Sequence, residues 1–311
     1  MYVISLVLAY ALLMSFWWVI LERLKALDFP PNVLRFVSGM GAGGLIVWSL
    51  TQHGGFSYLL TLPREFWMSL SLTVLLNIAI AYFYLKALQK TQLSIAVHVS
   101  MLAPILAIFT GSYVFGIDPV PGKGALTGIG VVVIGLSVLH LNPADYGYNP
   151  WGGVVAIWRK RNDWLWYALG NAVCAGFAIP LDKKCVQLSD YALAPGLTLF
   201  LAWGVVFGLV GFKAGDFAKT RELANSAVRR RMLFWLALAF GLANGCQAAA
   251  YNYEYAAVVA SLKRLDAPFT VLWSIFLFSD ERAKSTLLMK IIGSLVAFAG
   301  AALIGFSRFA G

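Results

Sequence analysis

The chain alternates between long apolar runs and short segments that hold most of its charges. A run of roughly 20 apolar residues can cross a hydrocarbon core of about 30 Å as an α-helix. The pattern predicts an all-α integral membrane protein with ten such spans, numbered one to ten along the chain. The spans cover residues 2–22, 31–51, 65–88, 93–116, 122–141, 164–185, 192–212, 232–253, 256–279 and 286–306.

Composition supports the same class. The residues are 60% hydrophobic and 12% charged, whereas a soluble globular domain carries about 25% charge. The first apolar run has no basic segment before it, so it is read as a span and not as a cleaved signal. The formal net charge of +10 is interpreted as loop charge that faces anionic lipid headgroups, and no nucleic-acid partner is expected.

The remaining sequence leaves little room for catalysis. It contains no Walker-type glycine loop, no HExxH or GxSxG motif and no extramembrane stretch long enough for a hydrolytic domain. The three cysteines, Cys174, Cys185 and Cys246, all fall within or at the end of spans, which argues against a disulfide framework or a metal site. We therefore predict a protein that is not an enzyme and has no catalytic residues, metal or cofactor.

Basic residues are distributed unevenly between the two sides of the predicted spans. Segments after odd-numbered spans hold 15 of the 24 Lys and Arg residues, and segments after even-numbered spans hold five. The other four, Arg35, Lys263, Arg264 and Lys290, lie within spans. Because cytoplasmic loops are enriched in Lys and Arg, this distribution predicts that both termini lie outside.

The chain also repeats itself weakly. The segment "SIAVHVSMLAPILAIFTGSYVFG" (94–116) resembles "VVASLKRLDAPFTVLWSIFLFSD" (258–280) at an offset of 164. Five spans per half is an odd number, so the halves would have opposite topology in the membrane, as in carriers whose substrate site lies near the midplane. We predict a first five-helix repeat at residues 1–142, a basic connecting loop at 143–163 and a second repeat at 164–311.

A family resemblance adds to this picture. The stretch "SLKRLDAPFTVLWSIFLFSDER" followed by "KIIGSLVAFAGAALI" is similar to the C-terminal signature of EamA-type transporters of the drug/metabolite transporter superfamily. In that signature a Glu closes helix nine and a Gly follows in helix ten, at the positions of Glu281 and Gly293. The first half departs from the pattern, since Asp118 stands where a Gly-Glu pair is usual. The resemblance implies a transporter with ten helices, of which one, three, four, six, eight and nine surround a central cavity. Many relatives are drawn with cytoplasmic termini, contrary to the charge count.

The cluster "KRLD" in span nine is the strongest candidate for substrate binding. A charge near the centre of a bilayer costs at least a few kcal/mol, so it requires a partner or a function. Lys263 and Asp266 lie one helical turn apart and can form an ion pair, which leaves Arg264 as an excess positive charge. Such a site favours a carboxylate or a phosphate. The alternative is that both basic side chains extend to the headgroups.

Other polar and aromatic residues of the implied cavity are candidates for substrate contacts. His98 is read either as a satisfied hydrogen-bonding residue or as a proton relay. Trp17 is read either as part of an interfacial belt or as a cavity wall. Asp266 and Glu254 are candidates for the coupling ion pair. The further candidates are Asn77, Tyr82, Asn244, Gln247 and Tyr251.

The sequence thus predicts a carrier that moves a small organic metabolite with an anionic or zwitterionic group by alternating access. The alternatives are a flippase for a lipid or lipid-linked headgroup and a membrane-embedded lipid enzyme. The expected partners are a small-molecule substrate, the lipid bilayer and protons as the coupling ion. The chain is expected to be a monomer or homodimer in a bacterial inner membrane. Substrate identity and the direction of transport stay open.

Overall fold

The computed structural model describes residues 2–90, 102–120, 122–140 and 163–266, together with 269, 270, 272, 273, 292, 293, 295, 296, 299, 300 and 303. All regular structure within these residues is helical. Nine described helices, α1 to α9, overlap spans one to nine in whole or in part, and short helices at Ser57–Thr61 and Asp216–Leu223 lie between them. The nine are α1 (Tyr2–Ala26), α2 (Pro31–Gln52), α3 (Arg64–Lys90), α4 (Ala103–Phe109), α5 (Lys123–His140), α6 (Asp163–Gln187), α7 (Leu193–Lys213), α8 (Ala227–Tyr251) and α9 (Ala256–Leu262).

Several helices are not α-helical throughout. A π-helical turn, Thr110–Val114, follows α4, and a second one, Phe200–Val205, interrupts α7. A 3-10 turn, Lys263–Leu265, follows α9. Such local departures from α geometry often occur at functional positions, and the 3-10 turn falls on the predicted substrate cluster.

The predicted start of span eight was five residues too late. The side chain of Ser226 accepts a hydrogen bond from the Arg229 backbone N–H at 3.3 Å, so the helix is capped before the three arginines. Arg229, Arg230 and Arg231 are therefore part of α8 and not of the loop that precedes it. Hydrophobicity alone could not predict this start, because the first turn is polar.

Five of the described helices are long and apolar enough to cross a membrane. They are Tyr2–Ala26, Pro31–Gln52, Arg64–Tyr84, Leu193–Lys213 and Ala227–Tyr251.

The chain divides into two compact units. Unit one comprises residues 1–78 and 181–254, and unit two comprises residues 79–180 and 255–311. The boundaries fall inside α3, inside α6 and between α8 and α9. Each unit therefore takes helices from both of the predicted five-helix repeats.

Glycines bring the helices of unit one close together. A Cβ atom built on Gly39 of α2 would lie 2.2 Å from the Gly204 backbone N, and one on Gly41 would lie 1.9 Å from the Ala237 carbonyl oxygen. A Cβ built on Gly241 of α8 would lie 2.5 Å from the Gly41 carbonyl oxygen. α2 thus packs backbone to backbone against α7 and α8, as small residues permit in membrane proteins.

In unit two, a threonine hydroxyl supplies the hydrogen bond that a proline removes from α6. Pro180 lies within α6 and has no N–H, so the Gly176 carbonyl four residues earlier loses its usual helical donor. The Thr110 hydroxyl donates to that carbonyl at 2.6 Å, closer than to the Leu106 carbonyl of its own helix at 3.0 Å. Gly176 permits this approach, because a Cβ there would lie 2.5 Å from the Leu106 Cβ.

Polar contacts in unit one join connecting segments that alternating helices would place on the same membrane side. Asn32, in the first turn of α2 and so on the side where α1 ends, donates its Nδ2–H to Asp216 Oδ2 at 2.9 Å. Asp216 begins the short helix that follows α7. His53, after α2, lies with Nε2 3.8 Å from Oδ1 of Asp190, after α6. Both pairs connect segments of equal parity, as expected when each helix reverses the direction of the chain.

Candidate substrate site

The start of α9 is a tightly packed helical segment. All seven residues from Ala256 to Leu262 are buried, and four of them are Ala or Ser. Lys263 and Arg264 follow in the 3-10 turn and are half-buried, and Asp266 is 8% exposed. The Arg264 Nε is buried and has no hydrogen-bond partner in the described part of the chain. The turn thus presents a guanidinium N–H that lacks an acceptor, beside a second cation.

Sequence reasoning missed the role of Asp118. Its carboxylate is 8% exposed, and Oδ2 accepts a hydrogen bond from the Ala256 backbone N–H at 2.8 Å. Tyr255, the residue in the N-cap position of α9, does not cap the helix with its side chain. A residue 138 positions earlier in the chain therefore caps this helix. The sequence did show an acidic residue in place of the usual Gly-Glu pair, but it could not show that Ala256 is the hydrogen-bond partner of this residue.

The described structure joins two of the candidates on α8. Gln247 Nε2 donates to the Tyr251 hydroxyl at 2.7 Å, and both side chains are buried. Asn244, one turn earlier, donates its Nδ2–H to the Phe240 carbonyl of the same helix at 2.8 Å. These three residues lie at helical spacing, as predicted, and their role in substrate contact stays a prediction.

A polar contact between α3 and α6 was also not predicted. The Thr73 hydroxyl donates to Asp182 Oδ1, and Asn77, one turn along α3, donates to the Thr73 carbonyl at 2.9 Å. Lys183, next to Asp182, is only 6% exposed. α6 continues to Gln187, two residues past the predicted end of span six, so both residues lie within the helix.

Trp17 is part of the core of unit one. Its side chain is 2% exposed, and its indole N–H donates to Ser38 Oγ at 2.9 Å. The ring packs against Trp18 and Phe240, with centroid distances of 4.6 and 5.1 Å. This burial contradicts an interfacial belt, because a belt residue faces the headgroups. A role in a substrate wall stays a prediction.

The other candidates are placed differently. Tyr82 is 51% exposed, with the Lys86 Nζ 6.0 Å from its ring centroid. Glu254 is 6% exposed and lies after α8, in the connection to α9. His98, Glu281 and Lys290 lie outside the described residues.

Arg35, on α2, packs its guanidinium against aromatic rings. The guanidinium carbon lies 4.8 Å from the Phe207 ring centroid and 5.8 Å from that of Trp203. Both rings belong to α7, and stacking of a guanidinium on aromatic faces stabilises a charge removed from water.

Comparison with known proteins gives one family and one fold. The model of the EamA-like transporter family matches residues 1–141. No curated protein matches the chain. A solved structure described only as "Crystal structure of protein" is similar, with a TM-score of 0.64 and 15% sequence identity. That similarity covers 96% of this chain and 98% of the solved one, and at this identity it indicates a shared fold.

Proposed function

We propose that the protein is a transporter of the EamA-like family, within the drug/metabolite transporter superfamily, whose family model matches residues 1–141. We further propose that it carries a small organic anion or zwitterion by alternating access. The family and the apolar helices identify a multi-pass integral membrane protein, and the family indicates small molecules as cargo. The anionic or zwitterionic substrate and the alternating-access mechanism are the parts of the proposal that family membership alone does not give.

The buried Nε of Arg264 carries the proposal. A buried donor without an acceptor costs about 1–3 kcal/mol, and more when it is charged, so the site gains from a ligand that brings an acceptor. A carboxylate or phosphate fits the planar fork of a guanidinium. Lys263 beside Arg264 favours the same charge, and the 3-10 turn at both residues supports a specialised position.

The proposed architecture is ten helices in two inverted repeats, with both termini outside a bacterial inner membrane. The contacts between segments of equal parity support the alternation of the helices. Asn77, Asn244, Gln247 and Tyr251 are proposed to orient the substrate, with Tyr82, Trp17 and His98 as further contacts. Asp266 and Glu254 are proposed as the coupling pair.

A binding screen followed by one substitution tests the proposal. The purified protein is heated with inorganic phosphate, succinate, glutamate or the cation tetraphenylphosphonium, because a ligand that binds the folded state raises Tm. We expect stabilisation by at least one anion or by glutamate and none by tetraphenylphosphonium. Arg264→Lys should then weaken the affinity about tenfold or more, as expected for a charged hydrogen bond worth roughly 1.5–3 kcal/mol.

Arg229→Lys provides the matched control, since it makes the same change at an arginine whose guanidinium already donates to the Leu223 carbonyl, at 2.8 Å. Its affinity should stay within about twofold of the unmodified protein. Equal affinity in Arg264→Lys would place the substrate charge elsewhere. Stabilisation only by short-chain phospholipid would favour a flippase instead.

A further inference from the structure

We propose that Asp118 is a positioning residue for transport, which sets the orientation of Lys263 and Arg264 by holding the start of α9. The proposal rests on the function proposed for Arg264 and adds a residue outside the predicted substrate contacts. Its carrying observation is the hydrogen bond from the Ala256 N–H to the Asp118 carboxylate, at 2.8 Å.

Asp118 is itself held in place by a compact turn. Gly116 has a φ of +60°, a conformation that glycine adopts easily. The turn folds back on the Gly111 carbonyl, which accepts from the Ile117 N–H at 2.8 Å and from the Asp118 N–H at 3.3 Å. A Cβ on Gly111 would lie 3.5 Å from the Pro180 Cβ and 3.8 Å from Asp118 Oδ2. The anchor is therefore packed against α6.

The helix depends on this external cap. The first N–H groups of a helix have no partner within it, and Tyr255 does not provide one from its side chain. The Asp118 carboxylate provides an acceptor, and its negative charge also suits the positive end of the helix dipole. A hydrogen bond and a charge–dipole interaction, both from Asp118, thus stabilise the start of α9.

Position at the start of α9 determines orientation at the cations. Arg264 lies eight residues after Ala256, about 12 Å along the axis at 1.5 Å per residue. The segment between them is buried and helical without a break, so a displacement or tilt of its start is transmitted to the turn that carries both cations. A fixed start therefore keeps the two cations aimed at the substrate.

Removal of the cap gives the first test. In Asp118→Ala, hydrogen–deuterium exchange of the amides of residues 256–258 should be at least fivefold faster. The affinity for the tightest-binding of phosphate, succinate and glutamate should fall at least fivefold. Asp118→Asn retains an acceptor oxygen and should recover most of the affinity. Ser226→Ala, which removes the side-chain cap of α8, is the matched control and should stay within about twofold in affinity.

A double-mutant cycle separates positioning from mere stabilisation of the fold. Arg264→Lys should weaken anion affinity about tenfold when Asp118 is present and less than threefold in the Asp118→Ala background. In that background the displaced guanidinium no longer contacts the anion, so its replacement removes little binding energy. Additive losses, or faster exchange with unchanged affinity, would reduce Asp118 to a structural cap and overturn the proposal. If Asp118→Ala does not fold, Asp118→Ser replaces it, since its shorter side chain does not reach the Ala256 N–H.

Failure of the underlying function has a different signature. In that case none of phosphate, succinate and glutamate binds the unmodified protein, although the amides of residues 256–258 are still protected by Asp118. That result would overturn the positioning role together with the anion site. Anion binding that is insensitive to Asp118 would overturn the positioning role alone.

Discussion

Thr73 on α3 donates its hydroxyl hydrogen to the carboxylate of Asp182 on α6. Thr73 is fully buried, so water cannot replace it as the donor. Both residues belong to unit one, close to where α3 and α6 pass into unit two. The pair thus fixes two long helices to each other near the ends of their unit-one segments.

Loss of this bond should destabilise the protein. Thr73→Val removes the hydroxyl at nearly constant volume and deprives a carboxylate of a buried donor, at a cost of about 1–3 kcal/mol. Thermal unfolding in detergent should show a lower Tm. Ser71→Ala on the same helix is the control, because Ser71 is exposed and bonds only to its own helix, at 2.8 Å from the Trp67 carbonyl. Equal Tm values for the two variants would contradict the role of the pair.

Close packing of α2 predicts a sharp contrast between two of its glycines. In Gly41→Ala, the added Cβ would lie 1.9 Å from the Ala237 carbonyl oxygen, so backbones must separate. In Gly44→Ala, the Cβ meets nothing within 4 Å, and alanine is the better helix former. Size-exclusion chromatography after mild heating should show loss of the monodisperse peak for Gly41→Ala alone. A stable Gly41→Ala variant would mean that α2 is less tightly packed.

Charge distribution predicts the side on which each segment lies. In a cysteine-free background, a membrane-impermeant thiol reagent should label a cysteine at position 64 in intact cells and miss one at position 230. Arg64 and Arg230 are both exposed, so accessibility within the fold does not separate them. The reverse pattern of labelling would place both termini in the cytoplasm.

Proton coupling should depend on a buried carboxylate. Asp266 and Glu254 are 8% and 6% exposed, and a carboxyl group that carries protons must titrate within the membrane. Asp266→Asn should abolish uptake driven by a pH gradient in proteoliposomes while substrate exchange continues. Glu222→Gln, at an exposed position outside the spans, should change neither. Gradient-driven transport that survives in Asp266→Asn, Glu254→Gln and His98→Ala would point to another coupling ion.

The helices could be predicted because their boundaries follow from one property. Apolar runs long enough for the hydrocarbon core end where charged residues or proline appear, and α2 begins at Pro31 as that rule expects. The prediction was less accurate where a cap overrides hydrophobicity, at Ser226. The helices that could be predicted are thus those whose ends are set by residues close to them in the sequence.

The polar contacts could not be predicted for a different reason. Thr73 and Asp182 are 109 residues apart, and Asp118 and Ala256 are 138 apart, so only the packed structure pairs them. Trp17 was ambiguous because an interfacial and a buried tryptophan have the same local sequence. Its partner Ser38, on the next helix, is what distinguishes them.

The Thr110–Gly176 bond also has a consequence for the order in which the chain is inserted. Pro180 leaves the Gly176 carbonyl without a helical donor, and an unsatisfied carbonyl in lipid costs several kcal/mol. α4 is synthesised before α6, so the Thr110 hydroxyl is already available as a donor when that carbonyl is made. A residue that usually breaks helices therefore helps to recruit α6 to its neighbour. A circular permutation that placed α6 ahead of α4 would lose this advantage during biosynthesis, although the finished fold would contain the same bond.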